Sequence, residues 1–122
     1  MSDVVETVDT YLAMWNETDP ATRAAVIEKA WAPEGHYLDP MVEGKGYGGL
    51  SEMVDAVQAQ FPGHRFTRSS AVDEHHGFVR FGWTLVSPDG ATVVGGLDVA
   101  VLAPDGRLAR LVGFLGDLSA AA

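Results

Sequence analysis

Hydrophobic residues recur at helical spacing near the start of the chain. One apolar stripe runs from about residue 3 to residue 16 and carries Val4, Val8, Tyr11 and Trp15. Side chains three and four residues apart share one face of a helix, so this spacing predicts an amphipathic first helix. The stripe must face the interior, and it carries the tyrosine hydroxyl inward with it.

A second helix is marked by its capping residues. Thr18 or Asp19 suits the N-cap, and Pro20 suits the first helical position. The predicted inward face consists of Val26, Ile27, Ala30 and Trp31. We expect this helix to stop before Pro33, because proline cannot continue a helical hydrogen-bond ladder.

A third helix is predicted between two glycine-containing segments. Its apolar positions are Leu50, Met53, Val54 and Val57, and the sequence Phe61-Pro62-Gly63 ends it. The glycine-rich segment 44–49 precedes it and is interpreted as a flexible loop over the mouth of a pocket. A short extended segment, residues 36–39, lies between the second helix and this loop, because Pro40 biases Asp39 away from helical torsions.

The pattern changes to alternation after residue 63. Strands are predicted over residues 64–72, 76–86, 91–102 and 107–115. Two proline-aspartate-glycine turns, at 88–90 and 104–106, predict antiparallel hairpins between the later strands. The chain is therefore predicted to be one α+β domain over residues 1–122, with a frayed tail at 119–122. Such a sheet can curl over the three N-terminal helices and leave a cavity.

Composition and charge exclude several classes of partner. The chain has no cysteine and carries 17 acidic residues against 8 basic ones, a formal charge of −9. This charge repels phosphate backbones and anionic lipid surfaces, so neither nucleic acid nor a membrane is an expected partner. The lack of cysteine and of a signal-like N-terminus favours the cytoplasm.

Two motifs are set aside. The segment Gly44-Lys-Gly-Tyr-Gly-Gly49 matches the spacing of a dinucleotide fingerprint, but no parallel βαβ unit surrounds it, so no cofactor is predicted. The histidines at 36, 64, 75 and 76 lack the spacing of metal ligands, and adjacent residues of a strand point to opposite faces. No metal site is predicted.

Three polar residues in apolar surroundings are the candidates for chemistry. Tyr11 lies on the buried stripe, and Asp39 lies where the second helix feeds a strand. Asp98 lies in the most apolar strand, on the same face as Gly96 and Ala100. Burial of such groups is unfavourable unless they are hydrogen-bonded. Each has an ordinary alternative: a core tyrosine, a turn-forming aspartate, and an aspartate on the solvent face of the sheet.

Three segments resemble the bacterial Δ5-3-ketosteroid isomerases. Residues 8–19 (VDTYLAMWNETD) look like the first helix of that family, and residues 37–44 (YLDPMVEG) resemble its Asp-Pro-Val-Gly segment. The segment around Asp98, together with the 104–106 turn and the strand ending at 113–116 (GFLG), is similar to its last hairpin. The correspondence runs in order over nearly the whole chain and implies the nuclear transport factor 2-like fold. This fold is a cone-shaped α+β barrel in which three N-terminal helices pack in the concavity of a curved, mostly antiparallel sheet around one small-molecule pocket.

Carried over residue by residue, the resemblance implies roles for the three candidates. Asp39 takes the place of the general base, and Tyr11 and a protonated Asp98 take the place of the hydrogen-bond donors to the substrate oxyanion. The chain also resembles the SnoaL-like polyketide cyclases, for which Asp98, assisted by His64, is the expected acid or base. Both resemblances imply proton transfer next to a carbonyl.

The surroundings of the predicted cavity qualify these roles. Polar residues on or beside the strands, including His64, Arg65, Arg80 and the pair His75-His76, disfavour a steroid-sized apolar ligand. The predicted ligand contacts are Trp15, Tyr37, His64, Trp83 and Phe114. The remaining interpretations are a ligand-binding or dimerisation domain without catalysis, and hydration or epoxide opening by an aspartate-activated water. We also expect a homodimer formed through the outer sheet face, where Leu97, Val99 and Val101 are otherwise exposed.

Overall fold

The three helices form where the apolar pattern places them. The computed structural model describes residues 3–118 and 120–121. The helices are α1 (Val4–Asn16), α2 (Pro20–Ala30) and α3 (Gly46–Gln60). The side chain of Asp3 accepts a hydrogen bond from Val5 N, and that of Asp19 accepts one from Thr22 N, so both aspartates cap helices as N-cap residues should. The tail predicted to be frayed includes Ser119 and Ala122, which lie outside the described residues.

In the described part of the chain, seven strands form one curved, open, mixed sheet. They are β1 (Trp31–Leu38), β2 (Glu43–Lys45), β3 (Arg65–Arg68), β4 (Asp73–His75), β5 (Phe78–Val86), β6 (Thr92–Leu102) and β7 (Leu108–Leu115). The order is β2-β1-β7-β6-β5-β3, and β4 pairs separately with β5. Only the β1–β7 pair is parallel among these strands. The α+β class and the mostly antiparallel sheet are confirmed.

Several element boundaries differ from the sequence-based prediction. The strand predicted over 64–72 is shorter (β3, Arg65–Arg68), and the extended segment 36–39 belongs to a longer strand (β1, Trp31–Leu38). Trp31 begins β1 and is not the last turn of α2, and Pro33 lies within β1 at a shift of register against β7, where proline is tolerated. The glycine-rich segment 44–49 is not a loop, because it divides between β2 and the first turn of α3. The predicted strand 76–86 begins later, because His76 and Gly77 both have positive φ (53° and 82°) and form the turn between β4 and β5.

The core lies between the helices and one face of the sheet. Its largest buried members include Tyr11 and Met14 of α1, Trp31 of β1 and Phe81 of β5. Side chains of β6 alternate, so that Asp98 and Ala100 face the interior while Leu97, Val99 and Val101 are 36–39% exposed on the other face. Within the described part of the chain, no helix is both long and apolar enough to cross a membrane.

Candidate functional site

A mostly apolar cavity of about 200 Å³ lies between the helices and the inner sheet face. Helices α1 and α3 contribute one wall, and the strands β1, β3, β5, β6 and β7 contribute the other. Its lining includes Tyr11, Trp15, Tyr37, Asp39, Phe66, Trp83 and Asp98. All three residues proposed for chemistry therefore meet in one place.

Asp98 is buried in the strand β6 and bonded through both carboxyl oxygens. It is 2% exposed. The hydroxyl of Tyr11 donates to Oδ2 at 3.0 Å, and the indole Nε1 of Trp83 donates to Oδ1 at 3.1 Å. Alternation along β6 sets the inward direction, because Leu97 and Val99 take the opposite face. The prediction of an inward Asp98 is met, and the solvent-facing alternative is excluded.

Burial shifts the acid–base behaviour of the two groups. Desolvation raises the pKa of Asp98 to about 7, and the hydrogen bonds from Tyr11 and Trp83 oppose that rise. Desolvation also raises the pKa of Tyr11 well above its usual range, with a further contribution from the charge of Asp98. Tyr11 is thus a neutral hydrogen-bond donor, and Asp98 changes its protonation near neutral pH.

Asp39 lies immediately after β1, in a turn that its own side chain stabilises. Its Oδ1 accepts from the backbone N–H groups of Met41 and Val42, both at 2.8 Å. Its Oδ2 accepts from the hydroxyl of Tyr37 at 2.5 Å. The turn-forming role and the cavity-lining position therefore coexist in one side chain. Burial raises the pKa of Tyr37, with the charge of Asp98 as the next cause.

The absence of a side chain at Gly113 allows the polar groups to converge. Gly113 pairs with Asp98 across β6 and β7. A Cβ atom at this position would lie 2.9 Å from Asp98 Oδ1, 3.1 Å from the Tyr37 hydroxyl oxygen and 3.2 Å from Asp39 Cβ. The side chains of Asp98, Tyr37 and Asp39 therefore surround the same backbone position, and any larger residue there would push them apart.

Aromatic rings line the rest of the cavity as a connected wall. The ring of Trp15 lies 5.2 Å from that of Tyr37 and 5.3 Å from that of Phe66, and Phe66 lies 5.6 Å from Trp83. Such edge-on and tilted contacts are favourable for aromatic pairs. Three of the predicted ligand contacts, Trp15, Tyr37 and Trp83, line the cavity.

The other two predicted ligand contacts do not line it. Phe114 follows the inward Gly113 in β7, so alternation turns it to the outer face, where it is 55% exposed. His64 lies in the turn before β3, with its Nδ1 3.0 Å from the carbonyl oxygen of Pro62 and its ring 5.5 Å from that of Phe61. The structure corrects both placements.

The charged residues expected around the cavity are also elsewhere. Arg65, Arg80, His75 and His76 are exposed, and Arg80 pairs with Asp73 at 2.9 Å outside the cavity. The lining is therefore more apolar than the sequence indicated. Across residues 3–118 and 120–121, no group of three or more His, Asp or Glu side chains is close enough to hold a metal ion.

Several residues of the site were missed from the sequence. Phe66 in β3 and Gln60 at the end of α3 both line the cavity. Phe66 is the one apolar residue of β3, and that signal was available in the alternation of the strand. Gln60 and Gly113 carried no signal, because a polar helix end and a strand glycine are common features of surfaces and bulges.

The chain has a similar relative among solved structures. A protein from Agrobacterium tumefaciens str. C58, described provisionally as an isomerase of the SnoaL-like family, shares 42% sequence identity with it. The match covers 96% of this chain and 100% of the other, with a TM-score of 0.89. The chain belongs to the SnoaL-like family. This agrees with the resemblance found in the sequence, and it places the cavity of Tyr11, Asp39 and Asp98 in a SnoaL-like protein.

More distant structures share the SnoaL-like architecture. An NTF2-like protein of unknown function from Exiguobacterium sp. 255-15 matches at 20% identity over 92% of this chain and 99% of its own, with a TM-score of 0.71. A protein with a ketosteroid isomerase-like fold from Catenulispora acidiphila DSM 44928, in complex with trimethylamine, matches at 14% identity over 91% and 85%, with a TM-score of 0.72. At these identities the likeness shows the fold alone. No family model matches the chain, and the comparison with curated proteins gives no match.

Proposed function

We propose that this SnoaL-like protein is a cofactor-independent acid–base enzyme that moves a proton next to a carbonyl group of a cyclic or polyketide-like small molecule. The observation that carries the proposal is the convergence of Asp39, Asp98 and Tyr37 over Gly113, beside Tyr11, in an otherwise apolar cavity. Titratable groups with displaced pKa values in a cavity are typical of catalytic sites.

In this proposal Asp39 is the general base. Its carboxylate accepts three hydrogen bonds within the protein, and it also lines the cavity, where a ligand carbon can approach it. The carboxylate takes a proton from the carbon adjacent to the substrate carbonyl, and the electron pair of that bond moves to form the enolate. Asp39 then returns the proton to a different carbon for isomerisation. For cyclisation, the enolate carbon attacks a second carbonyl instead, and the resulting alkoxide takes the proton from Asp39.

Tyr11 and Asp98 stabilise the oxygen of the enolate. Negative charge develops on that oxygen during proton removal, and donors already aimed at it lower the barrier in a site that excludes water. Tyr11 is 1% exposed and carries a phenol whose pKa is raised, so it enters the reaction as a neutral donor. Asp98, whose pKa is raised to about 7, supplies a proton behind Tyr11 at and below neutral pH.

The electrostatics of the cavity indicate a substrate without negative charge. The ionisable side chains in its described lining are two carboxyl groups and two phenols, Asp39, Asp98, Tyr11 and Tyr37. A carboxylate or phosphate on the ligand would find no cationic partner there, and burial of an unpaired charge is strongly unfavourable. A neutral ketone or enone fits the aromatic wall and the hydrogen-bond donors Tyr11 and Asp98.

The direct test is exchange of the proton next to a ketone. Cyclic enones and β,γ-unsaturated cyclic ketones are incubated with the protein in D₂O, and deuterium incorporation is followed by NMR. We expect wild-type protein to accelerate exchange, and Asp39→Asn to lose about 10²-fold or more, because a positioned base contributes on that order. Asp73→Asn is the matched control, since Asp73 is an exposed aspartate outside the cavity. Exchange no faster than in buffer, or an active Asp39→Asn protein, refutes the proposal.

A ligand-binding domain without catalysis is the second candidate function. It is favoured by one observation: both oxygens of Asp39 and of Asp98 already have donors within the protein. Such saturation suits groups that shape a cavity as well as groups that react in it. Quenching of Trp15 or Trp83 fluorescence by the same ketones, without any deuterium incorporation into them, would favour this function.

We further propose that two copies associate through the outer face of the sheet. This face carries Phe78, Leu97, Val99, Val101 and Phe114, each at least 36% exposed. They lie on the adjacent strands β5, β6 and β7, and cross-strand pairing brings Leu97 beside Phe114. An apolar patch of this kind on a folded protein is typical of an interface.

A further inference from the structure

The indole of Trp83 donates a hydrogen bond to one of the two carboxyl oxygens of Asp98. We propose that Trp83 is a positioning residue that directs this proton to Oδ2, the oxygen facing Tyr11, so that Asp98 acts on a ligand through the phenol and not directly. The inference deepens the proposed acid–base function and rests on it for its purpose. The hydrogen bonds from Tyr11 and Trp83 to Asp98, on which the inference is based, are present in the protein without ligand.

Hydrogen-bond chemistry makes the two oxygens of Asp98 unequal. An indole N–H can donate and can never accept, so Oδ1, at 3.1 Å from Trp83 Nε1, must offer a lone pair in both protonation states. A phenol can donate or accept, so Tyr11, at 3.0 Å from Oδ2, can adapt to either state. The proton of the neutral acid therefore belongs on Oδ2.

This assignment gives the Tyr11 hydroxyl two orientations, one for each protonation state of Asp98. When Asp98 is ionised, Tyr11 donates to Oδ2. When Asp98 is neutral, Oδ2–H donates to the phenol oxygen, and the proton of Tyr11 is free to point into the cavity that Tyr11 lines. A ligand oxygen thus accepts a hydrogen bond from the Tyr11 hydroxyl. The hydrogen bond from Asp98 Oδ2–H to the phenol oxygen makes that hydroxyl a stronger donor. Linked donors of this kind polarise one another.

The sequence of β6 provides the room that the indole needs. Gly96 pairs with Trp83 across β5 and β6. A Cβ atom at Gly96 would collide with the carbonyl oxygen of Phe114 and with Trp83 Cζ2, and would lie 2.7 Å from Trp83 Cε2. Phe66 packs against the indole at 5.6 Å from another direction. Gly96 and Phe66 therefore fix the ring with its N–H on Asp98, and the glycine in this strand has a definite use.

Few ionisable groups face Asp98 besides the phenol bonded to it. Tyr11 faces it from α1, Tyr37 from β1, and Asp39 from the turn after β1. Its cross-strand partners, Phe81 in β5 and Gly113 in β7, are uncharged. Burial favours the neutral acid, whereas the donors Tyr11 and Trp83 favour the carboxylate. Loss of the indole N–H should therefore shift Asp98 further towards the neutral form.

The test is the titration of Asp98 in Trp83→Phe, followed by the chemical shift of its carboxyl carbon in ligand-free protein. We expect the pKa of Asp98 to rise by about one unit, on the order of one hydrogen bond to a charged group. If the protein catalyses exchange, the corresponding limb of its pH–rate profile should move by the same amount. An unchanged or lowered pKa overturns the inference.

Trp31→Phe is the matched control. Trp31 is fully buried, its ring also packs against Tyr11, and its Nε1 has no hydrogen-bond partner among the described residues. The same substitution there removes similar atoms from the core without touching Asp98, so it should leave the titration of Asp98 unchanged. An equal rise in both variants would mean that lost packing, and not the lost N–H, moved the pKa.

A measurement on the wild-type protein covers the case in which Trp83→Phe does not fold. The chain has three tryptophans, so three indole N–H signals can be followed as the pH is changed. We expect the signal of Trp83 to move with the same midpoint as the Asp98 carboxyl carbon, and a Trp83 signal that stays constant overturns the inference. Neither experiment requires a substrate, so failure of the proposed enzyme activity would leave this result readable by itself.

Discussion

At the scale of single residues, burial and hydrogen bonding act on Asp98 in opposite directions. Removal of the carboxyl group from water favours the neutral acid, and donation by Tyr11 and Trp83 favours the charged form. Burial dominates, and the pKa rises to about 7. A residue balanced in this way can change its protonation with small changes in its surroundings, including the arrival of a ligand.

Asp98→Asn should stabilise the protein in a manner that depends on pH. The pKa of Asp98 is near 7 in the folded protein, above the ordinary value of 3.8, so its contribution to stability is fully present below about pH 4 and lost as the pH rises through about 7. Asparagine resembles the neutral acid, since its oxygen can accept from Trp83 and its NH₂ can donate to Tyr11. We expect a gain of a few kcal/mol at about pH 8, because one pKa unit corresponds to about 1.4 kcal/mol.

Urea unfolding of both proteins across this pH range measures the difference. The gain should shrink towards zero near pH 4, where Asp98 is neutral in both the folded and the unfolded wild-type chain. A difference between the two proteins that is the same at every pH would contradict the prediction. In that case the effect of the substitution would come from packing and not from ionisation.

The sequence identified the inward aspartate and tyrosine but not how they are used. An aspartate in an apolar strand and a tyrosine on a helical stripe are visible because period and burial are coupled. The partners are not visible: Trp83 and Tyr37 were expected to touch the ligand, yet their N–H and O–H groups bond to Asp98 and Asp39. The contact of Trp83 with Asp98 depends on the register of β5 against β6, and a pattern of hydrophobicity does not specify register to the residue.

At the scale of elements, a buried arginine connects the three helices. Arg23 of α2 is 1% exposed. It donates to the carbonyl oxygen of Glu17 at 2.9 Å, to Asp55 of α3 at 2.7 Å and to the side-chain oxygen of Gln58 at 3.2 Å. Gln58 in turn donates to the carbonyl oxygen of Trp15 at 3.0 Å. The planar side chain of Arg23 thus joins the end of α1 to α3.

Arg23→Ala should destabilise the protein by about 3 kcal/mol, because it leaves a buried gap and removes the several hydrogen bonds that the guanidinium donates. Arg23→Lys should recover little, since an ammonium cannot reproduce the fork of the guanidinium. Lys29→Ala is the control: its contact with Glu6 is 3.8 Å long and both side chains are about two-thirds exposed, so the expected change is below about 0.5 kcal/mol. Unfolding midpoints in urea test all three, and a similar small loss for Arg23→Ala and Lys29→Ala would contradict the assignment.

The extents of the elements could be predicted only in part. Helix starts were readable where an aspartate caps them, as at Asp19. The segment 44–49 was misread because glycine is a poor helix former, yet tertiary contacts place β2 against β1 and carry the chain directly into α3. The turn at His76-Gly77 was missed because it carries no proline, although a glycine after a polar residue is a common hairpin signal.

At the scale of the whole molecule, the two faces of the sheet differ in what covers them. The inner face packs against the helices, and the outer face leaves Leu97, Val99 and Phe114 exposed. We expect a dimeric mass by light scattering at micromolar concentration, and a monomeric mass for Leu97→Lys, because a buried lysine without a partner opposes association. Thr92→Lys is the control, as Thr92 is also exposed on β6 but lies at its end. A monomeric wild-type protein would refute the dimer.

The overall architecture was predictable, and one of its pairings was not. Hairpin turns predict the antiparallel pairing of β5 with β6 and of β6 with β7, because only a few residues join each pair. The parallel contact of β1 with β7 joins residues some seventy positions apart, for example Tyr37 with Leu111. No local signal marks such a pairing, because neither strand contains information about its distant partner.

The position of β7 also bears on how the protein is made. β7 lies between β1 and β6 in the sheet, although it comes last in chain order among the described strands. Until residues 108–115 have emerged, the β1–β2 hairpin has no strand to join it to β5 and β6, and Asp39 and Asp98 belong to separate halves of the sheet. The cavity therefore cannot be completed before residues 108–115 are synthesised, and one central strand closes the site.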